Sequence, residues 1–404
     1  MPKPIHATLA IAYLFLASGF LASAADWPRF RGPDGSGVAP DEDLPVEWSE
    51  ENNVAWKAEL TGRGISGPIV IGDRVVLTSC SGYRQDRLHV ICFDVRTGGK
   101  RWERQFWATG RTMCHEKTTT AAPTPSSDGQ RIFAHFSTND LVCLDLEGNL
   151  LWLRGLLKQY PNASGSLGLA SSPVVIGETL VTQIETDSQS VALGLDVDTG
   201  QTRWEVDRPQ HNNWTSPITL GDAGLTELVV MQASDGLKAY DPTNGQLAWH
   251  FPQECGIKAS SALAGNVIYV PCHGLTALRW EPGSTNPELL WQENRLGPSN
   301  PSPLTYRTKV YSLSGSILKC ADAATGQIEW RLRLEGNFSS SLVGGGGHVY
   351  CFNEEGVGQV IEPGKKGRIV ASNTLDEGVI SSPAIANGAL YVRSHNYLWK
   401  IAEK

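Results

Sequence analysis

An aspartate four residues before a glycine, with a tryptophan eight residues after the aspartate, recurs along this chain. The complete instances are Asp94-Gly98-Trp102, Asp196-Gly200-Trp204, Asp241-Gly245-Trp249 and Asp322-Gly326-Trp330. A shorter form, Asp145-Gly148-Trp152, places the tryptophan seven residues on. An aspartate side chain accepts from the backbone two residues ahead and glycine takes positive φ without strain, so each instance is a tight turn. Trp56, Trp102, Trp152, Trp204, Trp249, Trp291 and Trp330, with Ala371 at the eighth place, follow one another at intervals of 39 to 52 residues. Self-similarity at that period restricts the chain to repeat architectures before any other property is considered.

The unit is clearest from Ser171 to Trp204, SSPVVIGETLVTQIETDSQSVALGLDVDTGQTRW. Its four short apolar runs, separated by turn residues, predict four antiparallel strands joined by hairpins. A second series marks where each unit begins: Pro68, Pro125, Pro173, Pro217, Ala262, Pro303, Leu342 and Pro383. In six of these a β-type residue stands eight positions on (Val76, Phe133, Val181, Tyr311, Tyr350 and Tyr391). Radially repeated four-stranded units of this size predict an all-β fold, a β-propeller of eight blades. The last unit has only three strands, ending in Tyr397 to Ile401, and Val54 to Leu60 supplies the missing outer one. Sharing a blade between the ends removes a free sheet edge. A tryptophan on each outer strand is expected to wedge between blades, its indole N–H bonded to a neighbour's backbone.

Three segments follow. Residues 1–25 carry Lys3 and His6, an apolar run from Ala10 to Ala22 and the small residues Ser23-Ala24-Ala25, which predicts a cleaved signal peptide rather than a membrane span. Residues 26–51 are rich in Pro, Gly and acidic side chains and predict an irregular arm pinned to the propeller by Trp27, Phe30 and Arg31. Residues 52–404 form the propeller. Export invites a disulfide reading of the eight cysteines. Cys92, Cys143 and Cys320, however, each stand two residues before a turn aspartate, where other units have Gly194, Ala239 and Ala277, so they are read as small packing residues. Cys80, Cys114 and Cys351 are left open, and Cys255 with Cys272 is the pair singled out.

Individuality should reside in loops. From Trp102 to Pro125 is 23 residues and from Trp152 to Pro173 is 21, against 12 or 13 after most other tryptophans. Blades one and three also have long polar connections between their second and third strands, at 81–87 and 185–190. Extra sequence therefore gathers on one side of one face. The residues it offers for binding are Trp107, Arg111, His115, Glu116, Lys117, Tyr160 and Asn162, since Trp, Tyr and Arg serve as anchors. His211 and Asn213, entering blade four, are added as candidates beside the channel mouth. No catalytic residue is assigned: His115-Glu116-Lys117 are sequence neighbours without a nucleophile. No spacing suggests zinc, no glycine-rich loop precedes a helix, and a net charge of −8 without a basic run argues against nucleic acid.

Units such as Ser171 to Trp204 and Ser302 to Trp330, reading S-S-P…L-D-x-x-T-G…W in their fullest form, resemble the repeats of the pyrroloquinoline-quinone-like β-propellers over residues 56–401. That superfamily includes quinoprotein alcohol dehydrogenases and BamB-type outer-membrane assembly factors. The dehydrogenase resemblance implies a quinone over two adjacent disulfide-bonded cysteines, beside calcium held by carboxylate and amide ligands. This chain has no Cys-Cys pair, and no residue is assigned as metal ligand or catalytic base. The BamB resemblance implies a non-catalytic scaffold for protein partners at the bacterial envelope. The expectation is thus an exported, periplasmic or extracellular monomer without cofactor that binds proteins or a small ligand; the alternative is a dehydrogenase using pyrroloquinoline quinone with calcium at an atypical site.

Overall fold

The computed structural model describes residues 26–39, 43–221 and 227–403; the expected signal peptide lies outside them. Among the described residues, thirty-two strands form eight four-stranded antiparallel sheets, and the only helices are two short 3-10 turns. Blade one is typical: Ile69–Ile71, Arg74–Ser81, Arg87–Asp94 and Lys100–Trp107, paired in that order from the axis outwards. The ring closes as the sequence predicts. Val54–Glu59 adds antiparallel to Tyr397–Ala402, with Lys57 opposite Trp399.

The inner strands correct one anchor. Ala262 pairs with Tyr269, as Ile69 pairs with Val76 and Ala384 with Tyr391. The residue equivalent to the prolines is therefore Ser261, eight before Tyr269, and blade five obeys the rule that Ala262 broke. Blade four remains the exception because its first hairpin is longer: Ile218 pairs with Val230.

The Asp…Gly…Trp motif proves to be a lock between blades. The indole N–H of six of the seven tryptophans reaches a carbonyl in the next blade's turn: Trp56 to Val95, Trp102 to Leu146, Trp152 to Val197, Trp204 to Pro242, Trp291 to Ala323 and Trp330 to Gly364, all at 2.7–3.0 Å. The turn glycine of that next blade lies on the ring. A Cβ on Gly200 would stand 2.7 Å from Trp152, and one on Gly245 2.8 Å from Trp204. Across the strand pair the tryptophan faces Cys92, Cys143, Gly194, Ala239, Ala277 or Cys320. Those three cysteines are buried, and burial pushes their thiols up to about 12, so they pack rather than react. Trp249 shows what the motif contributes: blade five lacks the Asp-x-x-x-Gly turn, and the Trp249 indole N–H is buried without an acceptor.

The arm does more than lie against one blade. Trp27 exchanges backbone hydrogen bonds with Val70 of blade one, and Pro28 accepts from Ser127 of blade two. Arg29 donates to Thr219 of blade four, Arg31 to the Pro303 carbonyl beside blade six, and Ala39 pairs with Gly344 of blade seven. Fourteen consecutive residues, 26–39, thus touch inner strands around the ring and cross its axis.

One buried group predicts acid sensitivity. His135 is fully buried, with Nδ1 2.9 Å from Thr182 Oγ1 of blade three, and burial drives its pKa down to about 3. A folded-state value below the unfolded 6.5 means the neutral ring's contribution is complete above about pH 6.5 and is lost as the pH falls towards 3. Thermal melts of the protein and of His135→Gln should therefore diverge with pH, the variant losing less between about pH 6 and 4. Parallel acid profiles would contradict this assignment.

Candidate functional site

The links from each outer strand to the next inner strand all lie on one face, and the arm crosses the other, where Asp26 accepts from Gly72 in the first hairpin of blade one. Between them lies an axial cavity of about 630 Å³. Link residues His115, Lys117, Leu167, Trp214, Lys258 and Ile380 line its open end, and Phe30 of the arm forms its floor. A channel that propeller geometry would leave open at both ends is a well with one mouth.

The wall between mouth and floor is a ring of hydroxyls, one from each blade but one. Gly67 N–H donates to Thr124 Oγ1, Thr124 N–H to Ser172 Oγ, and so onward through Ser216, Ser260, Ser302, Ser341 and Ser382, at 2.9–3.1 Å. Each stands immediately before the proline position that opens its repeat, as the second member of the polar pair where there is one. The eighth position is Gly67, at the seam between first and last blades, where a Cβ would stand 2.8 Å from the Ser382 carbonyl. Close approach at the closure leaves no room for a side chain.

The raised loops on blades one to three meet as their lengths suggest. His115 N–H donates to Leu167 O, joining the two long links, and Thr120 bonds both the backbone and the side chain of Gln85 in the 81–87 loop. Trp107 is 60% exposed at the end of its outer strand, with the Arg87 guanidinium 4.9 Å above the ring. Arg111, Glu116 and Asn162 are exposed. His115 and Lys117 lean over the well instead of outwards, and Lys117 Nζ bonds Glu354 of blade seven at 3.1 Å.

Three candidates are placed differently from expectation. Tyr160 is buried in the core between blades two and three, its hydroxyl donating to Glu205, because the turn after Leu156–Lys158 points it inwards. It is no surface anchor. Asn213 is also buried, donating to Glu185 and to the Gln232 carbonyl, and so holds the loop rather than a ligand. His211 is exposed and bonds only within its own loop, to the Asn212 carbonyl; the residue of that loop which lines the well is Trp214. Sequence reasoning missed Trp214, Lys258 and the hydroxyl ring. The ring had a visible signal in the recurring Ser-Ser-Pro, which reads equally well as a strand opening.

The quinone–calcium alternative implies carboxylate and amide ligands and an adjacent cysteine pair. Among the described residues no carboxylate lines the well, and its one side-chain amide is Asn300. Glu354 at the rim is already bonded by Ser339 and Lys117, and no group of three or more His, Cys, Asp or Glu side chains converges among the described residues. The chain's one disulfide among those residues, Cys255–Cys272, joins residues 17 apart on blade five. The donor set does not fit the quinone–calcium pair.

A family model described as outer membrane protein assembly factor BamB matches residues 36–222, 168–255 and 313–404. The chain belongs to that family. None of the curated proteins matches it. Among solved structures, BamB from Moraxella catarrhalis is similar at a TM-score of 0.58 and 16% identity, covering 85% of this chain and 98% of that one. Quinohemoprotein alcohol dehydrogenase from Comamonas testosteroni is similar at 0.71 and 13%, covering 94% and 81%. A europium-containing methanol dehydrogenase is similar at 0.70 and 12%, covering 92% and 90%. At such identities these likenesses speak for the eight-bladed fold, which scaffolds and enzymes share.

Proposed function

We propose that this BamB-family propeller is a non-catalytic scaffold, exported to the bacterial envelope as a monomer, that holds a protein partner on the raised loops of blades one to three. The observation that carries the reading is a cluster of exposed anchors there. Tyr83 is fully exposed, Trp107 is 60% and Met113 50% exposed, and Arg87 and Arg111 lie among them. Large apolar side chains left in water beside arginines are the composition of interface centres, and a rigid ring beneath them limits the ordering cost of binding. Membership of the BamB family supports a partner that is itself a protein.

The test is capture from native envelope extract with full-length protein and with a Trp107→Ala/Arg111→Glu variant. The expected result is a stoichiometric partner held by the first and lost from the second, both melting at the same temperature. A partner retained by the variant, or none held by the unaltered protein, removes the proposal. Export itself is checked by the N-terminal sequence of the mature protein, expected to begin near Asp26.

A further inference from the structure

The well has a charge character unlike the acidic chain around it. Lys258 stands at its mouth with no carboxylate or other acceptor bonded to its ammonium among the described residues, whereas Lys117 has Glu354. Two arginines are buried just behind the wall. Arg393 spends one nitrogen on Ser66 and the Thr78 carbonyl, next to the wall residues Ile65 and Gly67, and its Nε and Nη2 have no acceptor. Arg31 bonds the carbonyls of Ser36 and of Pro303, the residue after ring member Ser302, and its Nε and Nη1 have none. Neither has a carboxylate in bonding contact among the described residues, and the Asp34 charge acts on Arg31 only at longer range. Buried cations without a bonded carboxylate are unfavourable and create a positive potential in the nearest cavity.

The hydroxyl ring acts in the same sense. Each hydroxyl oxygen accepts from one amide of the preceding blade, and none donates a hydrogen bond to a protein group among the described residues. Seven O–H groups are therefore free to donate into the well. The mouth is built as carefully as the wall: the carbonyls flanking Lys258 are held, Gly256 and Ala259 by the Gln232 side-chain amide and Ile257 by Trp214 N–H. Trp214 is fixed in turn by its indole bond to Gly168. Phe30, Ile65, Leu167 and Trp214 add apolar surface to the lining.

We propose that the axial well is a metal-independent site for a small organic anion with an aromatic or apolar body, its charge met by Lys258 and the hydroxyl ring and its body by Trp214 and Phe30. Carboxylates and phosphate esters share this chemistry: several acceptor oxygens, negative charge, and no need for a protein carboxylate or a bridging cation. The assignment is independent of the scaffold reading, which rests on Tyr83, Trp107, Arg111 and Met113, none of which lines the well.

The test is titration of full-length protein in EDTA with phthalate, phenyl phosphate, inorganic phosphate and benzyl alcohol, followed by calorimetry and tryptophan fluorescence. Phthalate or phenyl phosphate is expected to saturate with submillimolar affinity, benzyl alcohol and inorganic phosphate to bind at least about tenfold more weakly. Saturation by only one of the two aromatic anions identifies the charged group the site takes. Lys258→Gln, at an exposed position that does not threaten folding, should weaken binding about tenfold, and Lys258→Arg should restore most of it. The proposal is overturned by any of four results: no saturation by either aromatic anion below about 10 mM, equal binding of the neutral alcohol or of inorganic phosphate, affinity indifferent to Lys258→Gln, or binding that requires added calcium.

Discussion

Trp204→Ala is expected to lower the unfolding free energy by about 3–5 kcal/mol, the range for truncating a buried aromatic. Trp204 is 6% exposed and fills the space between blades three and four. Its N–H meets the Pro242 carbonyl at 2.7 Å, Gly245 covers one face, and a Cβ on Gly194 would fall 2.0 Å from the ring. Gly194 and Gly245 have no side chain to fill the void, which limits its collapse even though Val181 and Met231 belong to the same cluster. Denaturant midpoints measure the loss, and Trp249 provides the control. Trp204→Phe breaks a hydrogen bond and should cost about 1 kcal/mol more than Trp249→Phe, which removes an N–H that already has no acceptor. An unchanged midpoint for Trp204→Ala, or equal losses for the two phenylalanine variants, would show that the tryptophans do not lock the blades.

The second large effect is expected at Arg208 and Glu185, paired at 2.7 Å with side chains 0% and 1% exposed. Tyr240 and the Gln232 carbonyl take further guanidinium hydrogens, and Asn213 donates to the other carboxylate oxygen. Arg208→Met leaves a buried carboxylate without its cation and should cost about 3–5 kcal/mol, whereas Arg208→Met with Glu185→Gln should recover most of that loss. Burial pushes the Glu185 carboxyl up and Arg208 holds it down; without the arginine, burial and the Asp235 charge are opposed only by the Asn213 hydrogen bond. A raised folded-state pKa favours the folded protein below the unfolded carboxyl value and loses that advantage as pH rises, so Arg208→Met should be closest to the unaltered protein in acid. A double variant no more stable than the single one would mean that the pair matters through packing and not through charge.

How much of this was legible depended on how locally each feature is encoded. The turn aspartates, the glycines after them and the small residues facing the tryptophans lie within one unit, so spacing alone predicted the blades and their count. Closure was legible because three strands at one end and one at the other leave a single arrangement without a free edge. Blade five was misaligned by one residue, since Ala262 and Ser261 are both small and only the pairing to Tyr269 distinguishes them. Loop residues fared worst. Tyr160 and Asn213 look like Arg111 in composition, yet Glu205, Glu185 and Gln232, distant in sequence, draw them inside.

The sequence by itself determined the repeat, the eight blades, the shared closing sheet and the side of the ring on which loops accumulate. Each follows from turn chemistry and strand alternation over a few residues, repeated until it is unambiguous. Tertiary structure alone decided that the arm crosses the axis and turns a channel into a well, that seven hydroxyls form a circle broken at Gly67, and that Lys258 stands over it. Those properties belong to no single unit: they arise where groups up to some 300 residues apart, such as Gly67 and Ser382, are brought within contact by closing the ring.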